Sequence, residues 1–254
     1  MRILGEILVA VVMMFVVQLL PALVAVGLGL PPFAVMLVAV PPLALLLVWA
    51  YRRFVVRRSW AGLGTGFTRW SIPQVLLGVL AGVVVLGAGS FAAVTLGAAE
   101  YVAAPQNLAT PWAFLLGIPI YVLRAGYAEE LLFRGHLWDM LSDRVRPATV
   151  LLLTSVSFGA LHIISQSAAD GLGERLLYVV NATALGFACG AARMRTGSVW
   201  PAAGLHTAVY LQWPVVEPID FGVLLICQTV VLSLAAPAIL AFPRRKAAVS
   251  RVPA

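Results

Sequence analysis

Apolar runs dominate this chain. They follow one another with only short polar breaks, at about 7–30, 33–51, 72–98, 111–141, 147–166, 174–192, 198–213 and 219–242. A transmembrane helix needs about 20 mostly apolar residues, so the pattern predicts about eight spans. A β-barrel would instead alternate apolar and polar residues in short segments, and these runs are continuous. Composition points the same way. The 254 residues are 62% hydrophobic and 11% charged, against roughly 45–50% and about 25% in soluble domains. A water-soluble enzyme and a disordered chain are both excluded. The expectation is an all-α, polytopic transmembrane helix bundle forming one membrane domain over 1–254. The first run exceeds the roughly 7–15 apolar residues of a signal peptide, and is read as a retained helix.

Punctuation agrees with these spans. Pro31-Pro32 interrupts the first two runs, and the glycine-rich link from Gly62 to Gly66 precedes the third. Thr110-Pro111 is a helix start, a capping hydroxyl followed by proline. Gly78 with Gly82, and Gly186 with Gly190, have the spacing that lets membrane helices approach closely.

The net charge of +7 reads as topology rather than nucleic-acid binding, because no basic stretch is interleaved with aromatics. With eight spans and both termini cytoplasmic, one side collects Arg2, Arg52, Arg53, Arg57, Arg58, Arg69, Arg144, Arg146, Arg193, Arg195, Arg244, Arg245, Lys246 and Arg251. The other side holds Arg175, while Arg124 and Arg134 lie within the fourth helix. That asymmetry follows the positive-inside rule. Arginine vastly outnumbers lysine, which suits a GC-rich bacterial genome and hence a multi-pass protein of the bacterial plasma membrane. Trp49, Trp60, Trp70, Trp112, Trp138 and Trp213 fall near span ends, as interfacial aromatics do. Cys189 and Cys227 lie in apolar runs and read as packing residues.

An ionisable group inside a membrane helix costs at least about 2.5–3.5 kcal/mol on insertion scales and is a functional candidate by default. Helix four carries Glu129-Glu130-Leu131-Leu132-Phe133-Arg134. Glu130 and Arg134 are one turn apart on a single face, in the favoured acid-before-base order, and read as a structural ion pair. Glu129 points about 100° away and is expected to lack that partner. Two histidines, His162 and His206, lie deep in later runs. Counted from their basic or acidic flanks, Glu129, His162 and His206 sit at depths of roughly 21, 24 and 16 Å. Three titratable groups from three helices thus share one layer of the bilayer. His136 is expected to be interfacial, without a direct chemical role.

These residues resemble a known family. Glu129-Glu130 with Arg134, then Phe158 to His162, then Pro201-Ala202 leading to His206, are similar to the motifs of the CPBP family of CAAX-processing and bacteriocin-processing (Abi) intramembrane proteases. The similarity spans about 111–213. It implies N-terminal helices over 1–110, a protease-like catalytic core over 111–213, and a last helix with a basic tail over 214–254. It further implies an endopeptidase in which Glu129 activates the attacking water, His162 assists in holding that water, and His206 forms the oxyanion site with the residue four positions on. That residue is Tyr210, where the family has Asn or Asp. A phenol can donate one hydrogen bond but is larger than a carboxamide.

No cofactor is favoured. The alternative is a zinc site of Glu129, His162 and His206, since members have been described as metalloproteases and as glutamic proteases. The expected partners are the lipid bilayer and a membrane-associated peptide or protein substrate, with no nucleic acid. Two other classes stand beside the protease: a catalytically weak scaffold or immunity protein, and a small proton-coupled transporter relaying protons through Glu129 and the histidines.

Overall fold

The computed structural model describes residues 2–103, 119–165, 167–212 and 215–242. The helix start at Thr110-Pro111, Trp112, Trp213 and the basic tail lie outside the described residues. The architecture is an all-α polytopic bundle, as the apolar runs require. α1 is Arg2–Gly27 and α2 is Pro32–Ala50, continued by a π-helical turn over Tyr51–Val56. α3 is Ser71–Thr95. α4 covers 122–142 in four consecutive pieces: wide π turns over Val122–Tyr127, α over Ala128–Glu130, π again over Leu131–Leu137, and α over Trp138–Ser142. α5 is Pro147–Ala160 with a tighter last turn over Leu161–Ile163. α6 is Gly171–Thr196, α7 is Trp200–Gln212 and α8 is Phe221–Ala241.

Among the described residues, five helices are long and apolar enough to cross a membrane by themselves: Ile3–Gly27, Pro32–Val56, Ser71–Thr95, Gly171–Thr196 and Phe221–Ala241. α5 with its last turn, Pro147–Ile163, is a shorter apolar helix. The five long helices carry many large side chains exposed on their outer faces, Leu19, Leu23, Val84 and Leu234 among them. Such faces suit hydrocarbon, where lateral packing brings no hydrophobic gain and small residues decide which helices touch.

Glycine spacing makes the closest pairing, α3 on α7. A methyl group at Gly78 or Gly82 would collide with the α7 backbone at Pro201 and Leu205. Gly204 returns the arrangement, pressed against the backbone of Val75 and Val79. Side-chain amides hold other helices together: Asn181 Nδ2 on α6 donates to Thr229 Oγ1 on α8 at 3.1 Å, and Gln228 Nε2 on α8 donates to Ser90 Oγ on α3 at 3.4 Å. Cys189 is buried and Cys227 half-buried, both free thiols within the packing.

The two ends of the bundle differ. At one end the loops that the charge count placed together do meet. Arg52 Nη1 pairs with Asp139 at 2.8 Å, and Arg58 reaches Asp139 at 3.4 Å and Asp143 at 2.8 Å. Glu6 on α1 pairs with Arg144 at 3.5 Å. Arg52 is 2% exposed, so a residue that reads as a loop charge is a buried tie. Arg57 ends the second helix in the left-handed conformation, φ 53°. At the opposite end a short antiparallel ribbon pairs β1 (Ala99–Tyr101) with β2 (Val216–Pro218), Glu100 facing Glu217. Asp220 then caps α8 by accepting from the Val223 N–H at 2.9 Å.

α3 has 25 residues, a rise of about 37 Å, and links these two ends. Reporter fusions after Arg58 and after Lys246 are therefore expected to report cytoplasm, and one within 99–110 the outside. A cytoplasmic signal from 99–110 reverses the orientation.

Candidate active site

α4 carries the buried charge, and its local structure explains how charge is tolerated there. Gly126 lies against the α7 backbone at Ala203 and the Thr207 hydroxyl, so α4 and α7 run close together. Tyr127 stacks on Trp200 beside this contact, ring centroids 5.1 Å apart. π turns recur at functional sites within helices, and here they lie on both sides of the Glu129-Glu130 pair. Arg193 from α6 donates Nε–H to the Arg134 carbonyl at 2.9 Å and Nη2–H to the Gly62 carbonyl at 2.9 Å.

The Glu130–Arg134 pair forms as its spacing predicts. Arg134 Nη1 lies 2.9 Å from Glu130 Oε1, and both side chains are 0% exposed. Arg134 Nη2 donates to the Gly186 carbonyl at 2.8 Å, and its guanidinium lies over the Phe158 ring, 4.7 Å from the centroid. A methyl group at Gly186 would sit 3.0 Å from that nitrogen and 3.1 Å from the Ser155 backbone. This glycine reads in the sequence as a helix-packing element, and it also makes room for the guanidinium.

His206 on α7 joins the cluster. Its Nδ1 is 3.0 Å from Glu130 Oε1, the same oxygen that Arg134 uses, and its Nε2 is 3.8 Å from Glu129 Oε2. A carboxylate only accepts, so Nδ1 carries the hydrogen toward Glu130, and Nε2 faces Glu129. Arg134 is paired with Glu130, and Glu129 has partners from other helices. Its Oε1 accepts from Gln18 Nε2 on α1 at 3.3 Å, and His206 faces its other oxygen. Glu129 is 6% exposed.

His162, in the last turn of α5, is half-buried, with Nδ1 3.1 Å from its own Phe158 carbonyl. The Phe158 ring lies between the two histidines, 4.8 Å from His162 and 5.5 Å from His206. Tyr210 stands one turn after His206 on α7, its ring stacked between His206 at 6.1 Å and Tyr121 at 5.7 Å. Glu129, Glu130, Arg134 and His206 are thus brought into one hydrogen-bonding cluster, with His162 and Tyr210 attached through aromatic contacts.

Three neighbours have no counterpart in the sequence reading: Gln18, Tyr121 and Tyr178, the last with its ring 5.4 Å from His162. Gln18 had a signal, since it is the one side chain between 7 and 30 with a hydrogen-bonding amide, hydroxyl or charge. The tyrosines had none, because aromatics are common throughout such helices. His136 lies one turn before Asp139, near the charged end of the bundle. It is fully buried, edge-on to Tyr51 at 5.4 Å. Trp138 likewise is buried in the core instead of lying in an interfacial belt.

Zinc was the alternative for Glu129, His162 and His206. Both histidines direct Nδ1 at an acceptor and keep Nε2 for other use, as metal-binding histidines do. Among the described residues, however, no three His, Cys, Asp or Glu side chains come together closely enough to hold a metal ion. The donor chemistry suits zinc, the spacing does not enclose it, and no step is routed through a metal.

A polytopic helical membrane protein with two adjacent buried glutamates, one tied to arginine and both facing an imidazole from another helix, has the groups for acid–base chemistry within the bilayer. The family model described as type II CAAX prenyl endopeptidase Rce1-like matches residues 111–211, the segment that contains every one of these side chains except Gln18. Over this segment, about two fifths of the chain, the protein is similar to that family. No curated protein matches the chain.

Proposed function

We propose that the protein is an intramembrane endopeptidase that hydrolyses a peptide bond of a membrane-associated substrate with a water activated by Glu129. The observation that carries this reading is the 3.8 Å separation of Glu129 Oε2 from His206 Nε2. That separation is too long for a direct hydrogen bond, and a polar contact beyond about 3.5 Å raises the question of a bridging water. A water there has a carboxylate to accept its proton. As it attacks the scissile carbonyl, Glu129 takes that proton and then delivers it to the leaving nitrogen, so the amide C–N bond breaks with no net change at the enzyme.

Glu130 has a different task. Its Oε1 holds Arg134 and His206 together, which fixes the imidazole ring and leaves Nε2 facing the reacting atoms. In the tetrahedral intermediate, a protonated Nε2 donates to the oxyanion. His162, its Nδ1 engaged by Phe158, has Nε2 to help hold the water. The cell is read as bacterial and the membrane as its plasma membrane, from the arginine-rich, lysine-poor composition. The reading is tested by comparing the proteome of membrane fractions containing the wild-type protein or Glu129→Ala. Protein fragments present only with the wild type support it, and identical fractions overturn it.

Tyr210 completes the oxyanion site in this reading, in place of the family's Asn or Asp. What supports it is the stacking of its ring beside His206, one turn away. Tyr210→Phe keeps the ring and deletes the hydroxyl. Loss of one oxyanion donor lowers kcat by about 10²–10³, so a fall of that size at unchanged thermal midpoint is expected. Activity within about threefold of wild type, a loss under roughly 0.7 kcal/mol, removes the phenol from the mechanism. Tyr210→Asn then shows whether the position faces the site, since the family residue raises activity only there.

A further inference from the structure

We infer that Gln18 is a positioning residue for Glu129, supplied by a helix outside the segment that carries the family match. This inference rests on the proposed role of Glu129. Gln18 stands in an otherwise apolar stretch of α1. Its neighbours Val17 and Leu19 face opposite ways, Val17 fully buried and Leu19 exposed on the outer face, so the half-buried Gln18 lies at the edge of the α1 contact with the bundle. An amide kept from water needs a partner, and the partner here is Glu129 Oε1 at 3.3 Å.

The bond matters because of what it does to the other oxygen. The terminal torsion of a glutamate is broad and roughly two-fold, so rotamer preference alone leaves the carboxylate plane free to turn. With Oε1 held by Gln18, Oε2 is directed at His206 Nε2. The amide thus sets which oxygen meets the water and at what angle. Glu130 and Arg134 are engaged with each other at 2.9 Å, and Glu130 Oε1 also meets His206 Nδ1, so the hydrogen bond to Glu129 Oε1 comes from Gln18. α1 and α4 come together elsewhere through apolar side chains of the core, so the fold has contacts between these helices that do not depend on the amide.

The test uses the full chain in lipid nanodiscs with an internally quenched peptide that ends in an S-farnesylated CAAX sequence. Gln18→Met keeps the length and apolar body of the side chain and removes the donor. A misplacement of about 1 Å at a reacting group can lower turnover about 10²-fold. The expected result is a kcat about 10- to 100-fold below wild type, with KM and the thermal midpoint unchanged. Gln18→Asn, which keeps the amide on a stem one methylene shorter, is expected to fall between the two. A kcat for Gln18→Met within about twofold of wild type overturns the inference while leaving the role of Glu129 intact. So does a loss that appears in KM alone, or one accompanied by a lower thermal midpoint, which marks α1 docking instead of carboxylate orientation. Where the wild-type protein leaves this peptide uncut, turnover is read instead on the protein fragments that distinguish it from Glu129→Ala, and the absence of such fragments overturns the underlying reading and the inference with it.

Discussion

Glu129→Gln is expected to lower peptide turnover by about 10²–10⁴, the usual contribution of a general base, equivalent to about 2.7–5.4 kcal/mol of transition-state stabilisation. The protein should remain folded. Glu129 makes one long hydrogen bond, from Gln18, and faces His206 beyond bonding distance, so little of the fold depends on its charge. Removing an ionisable group from the bilayer also relieves an insertion cost of a few kcal/mol, and a thermal midpoint equal to or above wild type is expected. Loss of function with retained or improved stability marks a residue kept for chemistry. Turnover within tenfold of wild type, measured with the quenched peptide, excludes Glu129 as the base. A parallel loss of stability instead makes it a structural partner of His206.

The parts of this site that were legible in the sequence are those in which charge stands out against hydrocarbon. Glu130 and Arg134 announce their bond because helix geometry alone puts them on one face. Glu129 and His206 were placed in one layer by counting residues from their flanks, and the structure brings them together. Their exact relation was not legible. Helix rotation is ordinarily read from an apolar stripe against a polar face, but here helices such as α1 and α3 are apolar on both their exposed and their buried sides. Nothing in the pattern therefore says that Gln18 faces α4, that Tyr121 stacks on Tyr210, or which glutamate each nitrogen of His206 meets. The wide turns of α4 carry no sequence signature and shift the register that an ordinary helix would give. The ribbon of Ala99–Tyr101 with Val216–Pro218 is too short for an alternating pattern to emerge. Arg52 and Asp139 reflect a different limit. Loop charges were read for their sidedness, which says nothing about whether they are exposed or, as here, paired in the interior.

Glu130→Ala is expected to behave in the opposite way to Glu129→Gln, with a large loss of stability. Its Oε1 is the shared acceptor of Arg134 and His206, and among the described residues truncation leaves a fully buried guanidinium with the Gly186 carbonyl and the face of Phe158. Breaking one member of a buried ion pair costs roughly 3–5 kcal/mol, so most of the protein should fail to reach a monodisperse folded state, and what does should melt well below wild type. The double variant Glu130→Ala with Arg134→Met separates the causes. If the uncompensated charge is what destabilises, removing it too restores much of the lost stability, because an apolar replacement of a buried pair is often neutral or better. The interaction energy from this cycle is then large, and activity still does not return, since His206 Nδ1 has lost the oxygen that holds its ring. A double variant no more stable than Glu130→Ala shows instead that the carboxylate stabilises chiefly through His206. Equal yields and melting for Glu129→Ala and Glu130→Ala overturn the division of the two glutamates into one that reacts and one that holds the site together.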